Sequence, residues 1–229
     1  MQTLTISPTR DRLAHLKQVY PKPSISSRNT TLMFAQAVIA KEAAALDKLA
    51  STLDTSFVSA MQLILHSGGR VIFIGVGKSG LIGRKLAASF ASLGTPALFV
   101  HAVEAAHGDL GMITSRDVVL IISHSGETDE ILNVLPALIQ LGCPLIAITG
   151  RPRSRLARAA TVHLDTGVRE EADPRGLAPT TSATATLVLG DALALVLAEA
   201  RHFTPDAFLK LHPGGSLGRR NAADTKVSA

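Results

Sequence analysis

The stretch "VVLIISHSGETDE", residues 118–130, decides the fold. Its first five residues carry no polar side-chain atom, and four of them are β-branched. A run so short and so continuously apolar reads as a strand buried on both faces, the kind found in parallel sheets covered by helices. It ends abruptly in Ser123, His124, Ser125 and Thr128 around Gly126, with carboxylates at Glu127, Asp129 and Glu130. Hydroxyls beside a glycine can cap a helix, and they can also wrap a phosphate.

Working outward, the same alternation repeats. Strands are expected at "RVIFIG" (70–75), "ALFV" (97–100), "VVLIIS" (118–123), "LIAIT" (145–149) and "VHLDT" (162–166). Helices are expected at 55–67, 79–93, 103–107, 127–141, 153–159, 180–201 and 204–211. Ahead of them, 31–53 is Ala/Leu-rich with Phe34, Val38, Ala45, Leu49 and Leu53 on one broad apolar face. The pattern predicts an α/β fold, a three-layer αβα sandwich on a five-stranded parallel sheet. It spans residues 31–215, between a basic leader (1–30) and a basic tail (216–229).

A chain of 229 residues buries enough surface, roughly 70–75%, to need no covalent staples. Its one cysteine, Cys143, can form neither an internal disulfide nor a Cys metal site, which suits a reducing compartment and a cytoplasmic location. The pI of about 9.7 invites a nucleic-acid reading, but the charge lies at the ends. Residues 1–30 carry +4 and 216–229 carry +2 of a total of +5, which leaves 31–215 at −1. With 3% aromatics there is little to stack on bases, so no nucleic-acid partner is expected. Nor is a membrane partner, because no unbroken apolar run reaches 18 residues. The acid-poor leader has the Ser/Thr/Arg content of an organelle transit peptide without the apolar core of a secretory signal, and it reads as a solvated segment.

In such sheets ligands sit beyond the carboxyl ends of the strands. "GVGKSG" (75–80) leaves the first strand there, and "SHSGET" (123–128) the third. The first is not a nucleotide P-loop, since Ile72 stands where the leading glycine belongs, and no acidic residue follows at the distance a dinucleotide fold requires. In the second, Ser123, Ser125 and Thr128 supply three hydroxyls at a helix start where a cap needs one. With Ser79 they form a ready cradle for a phosphate dianion.

Both loops resemble those of the sugar isomerase (SIS) domain. "GVGKSGLIGRKLAASFASLGTP", "FVHAVEAAHGDLGM", "ISHSGET", "AITGRP", "GLAPTTSATATLVLGDALA" and "LHPGGSLGR" together resemble the D-arabinose-5-phosphate isomerases over residues 70–219. The resemblance implies a flavodoxin-like SIS domain, a homotetramer, and interconversion of D-ribulose 5-phosphate with D-arabinose 5-phosphate on the way to the Kdo sugar of lipopolysaccharide. It carries catalytic roles to Lys78, Glu130, Glu171 and His212, and substrate contacts to Gly94, Thr95, His101 and His107 beside the hydroxyl cradle. No cofactor is required. Some similar proteins hold zinc at the position of His101, although a helix would set His101 and His107 about 120° apart, which suits no shared metal.

Moving a proton between C1 and C2 needs a carboxylate or imidazole base and positive charge or donors for the developing oxyanion. Glu171 or His212 could be that base, Lys78 could hold the oxyanion, and Glu130 could orient them. Each also has an ordinary explanation, as a solvated lysine, a helix-dipole carboxylate, a charged loop or a turn histidine. Two departures from the long members of the family stand out. Glu170 replaces a frequent lysine and is expected to raise the pKa of Glu171. The sequence also ends at "NAADTKVSA" where long members continue into paired CBS domains, so a short form without them is expected. A non-catalytic phosphosugar sensor and an isomerase of another sugar phosphate are the readings left open.

Overall fold

Every apolar run named above forms a strand of one sheet in the computed structural model, which describes residues 28–214. Most of the leader expected over 1–30, and the tail expected over 216–229, lie outside the described residues. The strands are β1 (Val71–Gly75), β2 (Ala97–His101), β3 (Val118–Ile122), β4 (Leu145–Thr149) and β5 (Val162–Asp165). All neighbours pair in parallel in the order β2-β1-β3-β4-β5. Every residue of β1, β3 and β4 is buried, while the edge strands β2 and β5 are partly exposed. Continuous rather than alternating hydrophobicity in the central runs follows from cover on both faces.

The helices are α1 (Arg28–Thr52), α2 (Thr55–Leu65), α3 (Gly77–Ser92), α4 (Ala102–Ala106), α5 (Asp129–Gln140), α6 (Arg155–Ala159), α7 (Thr181–Ala200) and α8 (Pro205–Leu211). A short 3-10 turn at Asp109–Met112 was not expected from the sequence. Strand residues alternate between two cores, as a period of two demands. Phe73 and Leu120 join Leu49, Ile64, Leu86, Phe90 and Leu193 on one face. Ile72, Ile74 and Ile121 join Ile131, Leu138 and Leu156 on the other. Helix α7 is long and apolar enough to cross a bilayer, but ten of its residues are buried and its apolarity is that of a core helix.

Two compact units divide the chain, Met1–Ala40 and Lys41–Ala229. The described part of the first is the opening of α1, where Leu32, Met33, Phe34 and Ile39 are exposed. The broad apolar face expected along α1 is thus buried at Leu49 but not at Phe34 or Leu53.

At the amino edge of the sheet, the buried Asp117 ties β1 to β3. Its carboxylate accepts from the Arg70 N–H (2.7 Å), the Thr114 N–H (2.7 Å) and the Thr114 hydroxyl (3.0 Å). Burial pushes this carboxyl up, but the hydrogen bonds from Arg70 and Thr114 outweigh it and hold it below the ordinary aspartate range. A depressed folded value means that the stabilisation is full above the unfolded pKa of about 3.9 and is lost as pH falls through the folded one. Asp117→Asn should therefore lose roughly 1.5–3 kcal/mol in urea denaturation at pH 7. The gap to wild type should close below about pH 4. A gap independent of pH would contradict the charge as its source.

Candidate active site

Loops leaving β1, β3, β4 and β5 meet helix starts along the carboxyl edge of the sheet. Several helix starts are closed by side chains, on this edge and away from it: His101 caps α4 and Ser154 caps α6 here, while Asp54 caps α2 and Thr204 caps α8. Helices α3 and α5 have no such cap. Their first N–H groups, and the positive ends of their dipoles, are left to a ligand or to water.

The turn before α5 is held by its own hydroxyls. Ser123 Oγ accepts from Gly126 N (3.1 Å) and shares a hydrogen bond with Thr128 Oγ1 (2.8 Å), while Ser125 Oγ accepts from Glu127 N (3.2 Å). Three hydroxyls carry three hydrogens, and one is used between Ser123 and Thr128. Two remain for an acceptor outside. Ser123 is buried, whereas Ser125 is exposed and Thr128 half-buried, so Ser123 organises the turn that the other two present. Glu127 anchors it sideways by accepting from Arg155 N (2.7 Å) and Arg155 Nε (2.6 Å), and those bonds hold its carboxyl below the usual range. Gly126 sits at φ +63°, and a Cβ there would run into the Ser154 side chain.

Glu171 lies on the segment that returns from β5 to α7. Its Oε2 accepts from Thr180 N (2.9 Å), Thr180 Oγ1 (3.1 Å) and Ser182 N (3.1 Å), closing the start of α7 that Thr180 does not cap itself. Burial pushes this carboxyl up, but the bonds from Ser182 and Thr180 win, and it lies below the ordinary glutamate range. The expected upward push from Glu170 is overturned: Glu170 is exposed and pairs with Lys41 at 3.3 Å. All three bonds fall on Oε2, and Oε1 accepts none among the described residues.

A cavity of about 80 Å³ brings Glu171 together with Lys78, Ser79, His124 and Ser182. It adjoins a wider cleft of about 560 Å³, also lined by His124 and Glu171 and rimmed by Arg151, Arg169 and Arg175. Two predicted catalytic residues thus meet, and two do not. Glu130 is exposed in the first turn of α5 and lines neither space. His212 closes α8, stacked on Phe208 at 3.8 Å with Nδ1 bonded to Phe208 O (2.8 Å), and it lines neither as well.

Gly94 and Thr95 precede β2 and so lie at the amino edge, opposite the cavity; in this single chain they are not brought to it. Gly94, at φ +85°, gives room to Phe203, and Thr95 is buried. His101 and His107 flank α4 at its two ends. His101 Nδ1 accepts from Val103 N (3.3 Å), which leaves Nε2 as the single nitrogen for a metal. Among the described residues no three His, Cys, Asp or Glu gather to hold a metal ion.

Sequence reasoning passed over His124, Arg151, Arg169 and Ser182 as site residues. The first lay inside the quoted turn and the next in "AITGRP", where Gly150 was the available signal: a Cβ there would collide with the His124 ring.

Comparison with known proteins follows the same residues. The SIS domain family matches residues 64–196. The arabinose 5-phosphate isomerase KdsD of Pseudomonas aeruginosa PAO1 is 55% identical over 186 residues, 81% of this chain and 57% of that protein. KdsD of Escherichia coli K12 is 55% identical over 183 residues, 80% of this chain and 56% of that protein. The chain therefore spans just over half the length of these curated relatives. Among solved structures, E. coli CFT073 c3406 in complex with arabinose 5-phosphate superposes with a TM-score of 0.80 at 44% identity, covering 82% of this chain and 100% of that one.

Gly126→Ala should cost about 1–3 kcal/mol, because the left-handed backbone and the Ser154 collision both oppose it. Urea denaturation at pH 7 checks this; a variant as stable as wild type would show that the turn yields.

Proposed function

The chain belongs to the SIS domain family, and from that premise we propose that it is an aldose–ketose isomerase interconverting D-ribulose 5-phosphate and D-arabinose 5-phosphate. The observation that carries the reading is Glu171, a carboxylate held ionised by α7 with Oε1 unengaged, in one cavity with Lys78 and Ser79. Similarity to the KdsD isomerases and to a structure bound to arabinose 5-phosphate supports the choice of sugar.

In this reading the substrate phosphate takes the two spare hydroxyl hydrogens of the 123–128 turn and the uncapped N–H groups of α3 and α5. Ser79, Ser125 and Thr128 face it, with Ser123 behind them. Glu171 removes a proton from C1 of the ketose, and the C–H electrons form the C1–C2 double bond of an enediolate. The charge that develops on O2 is met by Lys78. The proton on Glu171 then returns to C2 and the O1 hydroxyl proton passes to O2, so O1 becomes the aldehyde oxygen and nothing is gained or lost. Its lowered carboxyl keeps Glu171 ionised and able to accept a proton, and the oxyanion that develops calls for a charge or donor beside it. His212 and Glu130 would complete the site of another copy, in a homotetramer whose assembly uses the exposed apolar residues of α1. His101 and His107 would meet substrate hydroxyls, and Gly94 and Thr95 would contribute across the same interfaces. The enzyme would act in the cytoplasm, in the route to Kdo and lipopolysaccharide.

The test is the purified protein with D-ribulose 5-phosphate in D₂O, followed by NMR. D-arabinose 5-phosphate carrying deuterium at C2 is the expected product; no turnover and no exchange with any pentose phosphate would leave a phosphosugar-binding protein instead. Glu171→Gln should lower kcat by roughly 10²–10⁴, while calorimetric affinity for unreactive D-arabinitol 5-phosphate stays within a few-fold. Ser125→Ala should do the reverse, weakening that affinity roughly 10- to 100-fold for one lost charge-assisted bond.

A further inference from the structure

The 123–128 turn carries hydroxyls at 123 and 125, and between them an imidazole that lines both the small cavity and the wider cleft beside Glu171. The ring is held in place. Its backbone carbonyl accepts from Gly150 N (2.9 Å), and the ring packs where any Cβ at position 150 would stand. The Gly150 carbonyl in turn accepts from Arg169 Nη1 (2.8 Å), and the Arg169 guanidinium forks onto both oxygens of Asp165.

The two ring nitrogens differ. Nδ1 is buried and has no hydrogen-bond partner. Nε2 makes no hydrogen bond among the described residues and is the nitrogen left to the cavities. An orphaned donor in a buried place is costlier than an orphaned lone pair, so the proton belongs on Nε2 and the bare lone pair on Nδ1. Burial holds the imidazole below the ordinary histidine range, aided by Arg151 and Arg169 and opposed by Glu171 and Asp165.

We propose that His124 is a further catalytic residue of the isomerisation, a neutral imidazole whose Nε2–H donates to the enediolate oxygens. The proposal rests on the isomerase reading and deepens it. Negative charge gathers on the enediolate oxygens as the carbon-bound proton leaves, and a neutral donor held on the wall of the same cavity meets it without surrendering its proton. Glu171 takes the carbon-bound proton, Lys78 supplies charge and His124 supplies the directed hydrogen bond.

The experiment compares His124→Phe, which fills the space without a donor, with His124→Gln, which keeps a neutral N–H. His124→Phe should lower kcat about 10²–10³-fold with affinity for D-arabinitol 5-phosphate within a few-fold. His124→Gln should be at least about tenfold faster than His124→Phe. In histidine ¹⁵N NMR of the wild type, the signals absent from His124→Gln should report one protonated and one bare nitrogen at pH 7. Wild-type kcat in His124→Phe overturns the proposal, as does an imidazolium at pH 7. Joint loss of binding and turnover in both variants would make the ring structural and overturn it too. If the wild type converts no pentose phosphate, the isomerase reading fails first and the role of His124 falls with it.

Discussion

The bond between Glu171 and the start of α7 is the constraint on which the site depends. One carboxylate oxygen takes two backbone N–H groups and a hydroxyl, so the side chain cannot swing. Helix α7 in turn cannot shift, because its buried face from Thr181 to Ala198 packs into the core. At Gly190 it lies so close to Leu86 of α3 that a side chain there would collide. The rigidity of a core helix is thereby transmitted to a functional oxygen. The same bond sets the chemistry, since the donors that fix Glu171 also keep it ionised.

Around it the chain distributes helix caps unequally. Where a helix has only to be stable, Asp54, Ser154 or Thr204 closes its start. Where α3 and α5 open towards the carboxyl edge no side chain does, and the hydroxyls of residues 123–128 brace their own turn instead. The structure thus leaves polar capacity unused at two neighbouring helix starts on the carboxyl edge, while His101, Ser154 and Glu171 close the other starts there. That asymmetry is what a dianionic ligand requires.

Most of the fold was legible from the chain because buried parallel strands write themselves as continuous β-branched runs: "VIFIG", "VVLII" and "LIAIT" each became a wholly buried strand. The hydroxyl turn was legible because it had more hydroxyls than a cap uses. Long-range geometry was not. No local pattern says that Glu171 would be held by Thr180 and Ser182, and the expectation built on its neighbour Glu170 failed because those bonds set its carboxyl while the exposed Glu170 pairs with Lys41, far away in sequence. His124 was missed for the same reason: its meaning lies in the room left by Gly150, a contact that only the tertiary fold creates. Gly94 and Thr95, carried over by resemblance, sit at the far edge because a motif continuous in sequence crosses the whole height of a parallel sheet.

The most direct test of the account is a crystal structure of this protein with D-arabinose 5-phosphate bound. The phosphate is expected on Ser125, Thr128 and the starts of α3 and α5, with C1 and C2 facing Glu171 Oε1 and O1 or O2 within hydrogen-bond distance of His124 Nε2. A sugar bound with its reactive carbons away from Glu171, or a phosphate held by the Arg151 and Arg175 rim instead of the hydroxyl turn, would contradict it.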